Sequence, residues 1–190
     1  YKYLHQKNII VYNRDAKDRP ELVGAFVKPP IVGKHKWVVS FDLNSLYPNL
    51  IIQYNMSPET IINKVESNYN TEDLLDKKIL NNSDDVIAAN GVHFSKNKKG
   101  FIPTLVQDLY DERVKIKKEM ISLKKSKDKK HDLKISQLES QQMAIKILMN
   151  SLYGAMGNIG FRYFDYRIAS AITLGGQLAI KWAEKTINQY

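Results

Sequence analysis

The chain has 190 residues and a formal charge of +9. That length allows one good core or one and a half domains, and the positive balance points to a polyanionic partner. Nucleic acid ranks ahead of a membrane surface, because no basic helix carries a large exposed aromatic face. The absence of cysteine excludes disulfides and Cys-based zinc or redox centres, and no apolar run approaches transmembrane length.

Residues 1–21 are polar and mixed, with one apolar patch at Ile9 to Tyr12 and a loop from Asn13 to Pro20. Val23 to Pro30 reads as a strand and turn ended by two prolines. Its Gly24 and Ala25 are small enough for a backbone to approach something bulky. Trp37 to Phe41 then reads as a short buried strand, rich in β-branched and aromatic residues, with Asp42 at its C-terminal end. Ser45 is a candidate cap for the following helix, and Pro48 falls early enough in it to be tolerated. Ser57 to Ile62 is expected to turn into a strand, and Thr71 to Leu80 to form a short helix capped by Thr71. Residues 92–102 are expected to form a hairpin with a basic tip at Lys96 to Gly100. His93 has no partner at metal-ligand spacing and reads as a strand residue.

Pro103 opens a long helical pattern carried by Leu105, Val106, Leu109, Val114, Ile116, Met120, Ile121 and Leu123. Lys124 to His131 is a polar tip. A second helix follows from about Asp132 to Leu152, with Leu133, Leu138, Met143, Ile145, Ile147 and Leu148 as its apolar positions and Gly154 as its C-cap. Two long helices joined by a short turn make an antiparallel hairpin. This one is basic: residues 111–134 hold ten Lys or Arg against five Asp or Glu, so it suits a phosphate-rich ligand. After a glycine- and aromatic-containing loop at 155–165, a last helix starts near Tyr166. Gly175 and Gly176 inside it each cost about 1 kcal/mol relative to Ala, so close packing is expected there.

Three groups of residues stand out together. Asp42 at a strand end, beside the free amides of a helix N-terminus, suits a metal-bound polyphosphate. A helix cap beside a solvated Asp is the plainer account of the same stretch. Arg113 and Lys117 are four apart and share a helix face, as do Lys146, Asn150 and Tyr153 at i, i+4 and i+7. If the two helices are antiparallel neighbours, three cations can surround one pocket and offset the charge on a leaving pyrophosphate. Tyr153 and Gly154 would offer a flat ring and a gap.

The run Asp42-Leu43-Asn44-Ser45-Leu46-Tyr47-Pro48 and the run Lys146-Ile147-Leu148-Met149-Asn150-Ser151-Leu152-Tyr153-Gly154 together resemble motifs of family B DNA polymerases. The flanks Gly24 to Lys28, Asn55 to Ile61 and Gly154 to Asn158 are similar to those of the replicative polymerases of T-even-type bacteriophages. The resemblance covers nearly the whole chain. It implies an α+β fold, a partial palm sheet (strands near 23–28, 36–42 and 92–102) carrying a two-helix fingers hairpin and a palm helix. The divisions it implies are a linker from the exonuclease side at 1–30, palm at 31–102, fingers at 103–153 and palm again at 154–190.

The implied activity is template-directed addition of a dNTP to a primer 3′-hydroxyl, in viral DNA replication, by two-metal phosphoryl transfer. Asp42 would be a ligand of both Mg²⁺ ions and the Leu43 carbonyl a further ligand. The amides near Ser45 and Leu46 would hold triphosphate oxygens, and Tyr47 would pack under the sugar and exclude a 2′-hydroxyl. Arg113, Lys117 and Lys146 would bind the triphosphate, with Lys146 also giving a proton to pyrophosphate. Asn150 would support the nucleotide, Tyr153 and Gly154 would line the nascent base pair, and Gly24 and Ala25 would contact template. The implied partners are primer-template DNA, dNTP, a sliding clamp and other replication proteins, with no membrane. The implied location is the cytoplasm of an infected bacterium.

The chain lacks the second carboxylate motif, Asp-Thr-Asp, that this chemistry needs. It starts at Tyr1 and stops within a helical pattern, so a piece of a longer protein is expected, inactive alone. A non-catalytic nucleic-acid-binding module and one half of a split polymerase are the alternatives.

Overall fold

The computed structural model describes residues 2–10, 22–65, 71–76, 84–126 and 129–188. The expected loop at Asn13 to Pro20 lies outside the described residues, as does the end of the expected helix beyond residue 76. Six α-helices are described: α1 (Lys2–Gln6), α2 (Leu46–Gln53), α3 (Thr71–Leu75), α4 (Phe101–Ser126), α5 (Asp132–Met156) and α6 (Tyr166–Ile187). Three short strands, β1 (Ile61–Val65), β2 (Val86–Ile87) and β3 (Val92–Phe94), form an antiparallel sheet in the order β1-β3-β2. The fold is α+β. Ile61 and Val86 both register against Phe94, and Ile62 and Ile87 against His93. The central strand β3 is buried along its whole length, with Phe94 at 0% exposure. Around it the core gathers Ile51, Met56, Ile102, Val106, Met156, Ile168 and Ile172 from four of the helices and the turn after α2.

The turn after α2 organises the middle of the chain. Asn55 sits in the left-handed region at φ 54°. The Met56 amide donates to the Ile51 carbonyl at 3.0 Å and the Asn55 amide to the Ile52 carbonyl at 3.3 Å, a Schellman ending with Asn in the glycine position. The Asn55 side chain then donates to the carbonyls of Ser95 (2.7 Å) and Lys98 (2.9 Å) and accepts from the Gly100 amide (2.8 Å). Glu59 accepts from the Phe101 amide at 2.6 Å, so a carboxylate from another element caps the positive end of α4. A Cβ at Gly100 would meet the Ser57 Cβ at 2.5 Å, which makes glycine the residue that fits.

These contacts explain one difference from the sequence reading. Residues 92–102 are not a hairpin. Val92 to Phe94 is the centre of the sheet, its partners lie at 61–65 and 86–87, and Phe101 already belongs to α4. The side chains that fold the 95–100 loop come from Asn55 and Glu59, about forty residues upstream, where no local pattern shows them.

The other difference concerns 22–43. No strand forms at 23–28 or 36–42. Both stretches are irregular and largely exposed, Trp37 at 97% and Phe41 at 68%, and Trp37 sits in the left-handed region at φ 61°. β-propensity measures packing on a sheet surface, and no described strand lies beside these residues. Residues 22–28 lie instead along α6. Gln177 donates to the Gly24 carbonyl at 2.7 Å, Lys181 stands 5.4 Å over the Phe26 ring, and Lys28 pairs with Glu184.

Helices α4 and α5 form the antiparallel pair, joined across a short 3-10 turn at Lys129–His131. At 26 residues α4 is roughly 39 Å long. The α4 seam runs through Ile102, Val106, Leu109, Arg113, Ile116 and Met120; that of α5 through Leu138, Gln142, Ile145, Met149, Leu152 and Met156. Both follow alternating steps of three and four, the heptad rule for two packed helices. Ile121, Leu133, Met143, Ile147 and Leu148, expected as core positions, are exposed, while Gln142 and Met149 are buried. α5 is apolar on more than one side, so composition alone does not mark its seam. Gly154 is not the C-cap: α5 continues through it to Met156 and ends at Gly157.

Helix α6 starts on an Asp165 cap, whose carboxylate accepts from the Arg167 amide at 2.9 Å and from its guanidinium at 3.0 and 2.7 Å. Those hydrogen bonds raise the Arg167 pKa.

Candidate functional site

The Asp42–Pro48 run and the Lys146–Gly154 run meet in space. Tyr47, on the first turn of α2, and Tyr153, near the end of α5, have ring centroids 4.7 Å apart at 51°. Burial holds both phenols above their ordinary pKa, and for Tyr153 the nearby Tyr47 adds to the shift. Both are protonated at neutral pH. The other side of Tyr47 rests on α6: a Cβ at Gly176 would stand 2.8 Å from Tyr47 Cε1. Gly175, one residue earlier, faces Leu50 at an ordinary 3.5 Å. The close packing expected at this glycine pair is there, and Tyr47 is what fills it.

Helix α2 presents open amides. Ser45 occupies the N-cap position at φ 52° but makes no side-chain cap; its hydroxyl donates to Asn44 Oδ1 at 3.3 Å. The first-turn N–H groups, among them those of Leu46 and Tyr47, have no partner inside the helix. Asp42 and Leu43, just before this helix in the chain, are both exposed. Ser45 is therefore not the hydroxyl cap expected from the sequence, because its left-handed backbone turns the hydroxyl back toward Asn44.

The three cations differ in setting. Arg113 lies in the seam between α4 and α5, half-buried, and its Nε donates to Gln142 Oε1 at 3.4 Å. Lys117, one turn further, and Lys146 are exposed and form no ion pair among the described residues. Asn150 is exposed on the same side of α5 as Lys146. Gly154 faces open space, with no atom within 4 Å of where a Cβ would stand. Gly24 and Ala25 are exposed, and Gly24 is fixed to α6 through Gln177. The sequence reading missed Gln142, whose signal is its place on the heptad seam, and Gln177, for which no local signal exists.

Asp42 and the Leu43 carbonyl are hard oxygen donors of the kind Mg²⁺ takes. They do not make a two-ion site by themselves. Such a site needs more than one carboxylate, and among the described residues no three Asp, Glu, His or Cys side chains cluster. A separate open cavity of about 700 Å³ lies beside the N-terminus of α4, with Lys7, Lys98, Lys99 and Phe101 on its walls. It contains none of the residues of the two runs. No described helix is long and apolar enough to cross a membrane.

With this arrangement in view, comparison with known proteins gives the class. The whole chain, residues 1–190, matches DNA polymerase family B, and the chain belongs to that family. Among individual relatives it is 32% identical to the DNA-directed DNA polymerase of Escherichia phage RB69, over 97% of this chain and 25% of that protein. It is 32% identical to the DNA-directed DNA polymerase of Enterobacteria phage T4, over 88% of this chain and 24% of that one. DNA polymerase 1 of Pyrococcus abyssi is 35% identical over 87% of this chain and 18% of its own length. The chain thus spans about a quarter of the phage relatives it matches.

Proposed function

We propose that this chain forms the nucleotide-receiving part of a template-directed DNA polymerase, which joins a dNTP to a primer 3′-hydroxyl during viral DNA replication. One observation carries the reading: Tyr47 and Tyr153, from two runs about a hundred residues apart, pack ring against ring. The open amides at Ser45 and Leu46 receive triphosphate oxygens at the positive end of α2. Lys117 and Lys146, exposed and without ion pairs among the described residues, neutralise the triphosphate, and Arg113 joins them from the helix seam, held by Gln142. Lys146 is the proton donor to the departing pyrophosphate. Tyr47 lies under the sugar and excludes a 2′-hydroxyl. Asn150 supports the nucleotide, Tyr153 and the open side of Gly154 take the new base pair, and Gly24 and Ala25 approach the template.

Asp42 and the Leu43 carbonyl contribute to an Mg²⁺ site that carboxylates from outside these 190 residues complete, so the segment alone does not polymerise. On the family's architecture, residues 31–102 and 154–190 are palm, 103–153 fingers, and 1–30 a linker from the exonuclease side. Primer-template DNA is the partner of the basic α4–α5 arm. A sliding clamp and other replication proteins serve the complete polymerase in the cytoplasm of an infected cell.

The lone carboxylate is the observation that favours a second reading, a nucleic-acid-binding module without chemistry. Lys146→Ala in the complete protein separates the two. Removing a charge that acts in the transition state costs about 10²–10³-fold in rate, so single-nucleotide incorporation falls by that order while primer-template affinity changes little. Loss of DNA affinity with an unchanged rate per bound complex supports the binding module.

A further inference from the structure

We infer that Gly176 is a positioning residue for nucleotide selection: its bare backbone sets how far the Tyr47 ring advances toward the incoming sugar. This rests on the role proposed above for Tyr47. Three observations lead to it. Gly176 lies in the middle of α6, where glycine has no backbone reason to be: its φ is not in the left-handed region, and no turn is made there. A Cβ at this position would stand 2.8 Å from Tyr47 Cε1 and 3.6 Å from Tyr47 Cδ1, so the ring lies directly on the α6 backbone. Tyr47 is meanwhile in contact with Tyr153 at 4.7 Å, so the ring has a neighbour from α5 as well.

A methyl group at Gly176 therefore cannot be absorbed in place. The aromatic ring has no flexible end to yield, and it moves away from α6. Gly175 supplies the internal comparison. Its Cβ would make ordinary contact with Leu50, at 3.5 and 3.7 Å, and would touch no residue of the proposed site. Two adjacent glycines in one helix thus differ in consequence: adding a methyl to one fills space, and adding it to the other displaces the sugar-facing tyrosine.

The test is steady-state incorporation of a single dNTP and of the matching rNTP by the complete polymerase, comparing four variants: Gly175→Ala, Gly176→Ala, Tyr47→Ala and the double variant Tyr47→Ala/Gly176→Ala. Gly176→Ala is expected to raise the KM for dNTP about tenfold with kcat within about twofold, the size of effect that one misplaced methyl has in a binding pocket. Gly175→Ala is expected to leave both unchanged. In the Tyr47→Ala background the Gly176→Ala effect on KM is expected to vanish, because the displaced ring is gone. If Gly176→Ala fails to fold alone, the double variant still decides. It folds and behaves as Tyr47→Ala if Tyr47 is the group displaced. A double variant that unfolds, or one that keeps the tenfold KM change, overturns the inference. So does an unchanged KM in Gly176→Ala while Tyr47→Ala admits the rNTP. If Tyr47→Ala itself fails to admit the rNTP, the proposed role of Tyr47 falls, and this inference falls with it.

Discussion

Single residues decide how the segments of this chain are held in register. Asn55 both ends α2 and ties down the loop that leads into α4, through three hydrogen bonds and a left-handed backbone. Gly100 fits only because it lacks a Cβ against Ser57. Gly100→Ala should destabilise the fold by about 1–3 kcal/mol, the usual effect of overpacking, read from the urea midpoint of unfolding. Tyr47 and Tyr153 make a pH-dependent contribution. Their folded pKa values lie above the ordinary 10.0, chiefly because burial disfavours the phenolate. The folded state therefore holds these protons more tightly than the unfolded chain does. Their contribution is fully present below pH 10 and is lost as pH rises above it. Unfolding midpoints measured from pH 9 to 11 should fall, and the fall should be shallower in Tyr47→Phe/Tyr153→Phe.

At the level of elements, the helices were legible and the strands only in part: β1 and β3 begin where strands were expected, at the Ser57 to Ile62 turn and at Val92, but their partners were not. The patterns that announce α4, α5 and α6 are long, and helical hydrogen bonds are local, so sequence spacing suffices to find them. The seam of α5 was misplaced because Met143, Ile147 and Leu148 compete with the buried positions for apolar character. Strands depend on partners elsewhere. Val38, Val39 and Phe41 have every strand-forming property and remain exposed, while Val86–Ile87, an inconspicuous dipeptide, pairs with β3. The candidate site shows the same division. Its motif residues could be named from their runs, but the contact of Tyr47 with Gly176 and the hold of Gln142 on Arg113 needed the packing of four helices. At α6, the Asp165 cap satisfies one amide and pairs with Arg167. Asp165→Ala should cost about 1–2 kcal/mol, seen as a lower midpoint in the far-UV circular dichroism melt.

For the whole molecule, the formal charge of +9 and the basic α4–α5 arm set an electrostatic expectation. Binding of primer-template DNA by the complete protein should weaken linearly on a log–log plot against salt, because each neutralised phosphate releases counterions. Removing Lys124, Lys125 and Lys130 together should lower that slope. Equal slopes would place the DNA elsewhere.

In the function proposed above, the Asp42–Pro48 and Lys146–Gly154 runs make one nucleotide site. Photolabelling tests it most directly: a base-azido dATP is crosslinked to the complete protein bound to primer-template, and the labelled peptides are identified. Label is expected in both runs, around Tyr47 and around Asn150 to Gly154, removed from both in parallel by excess unlabelled dATP. Label confined to one run, or label in the two runs displaced at different dATP concentrations, would contradict it.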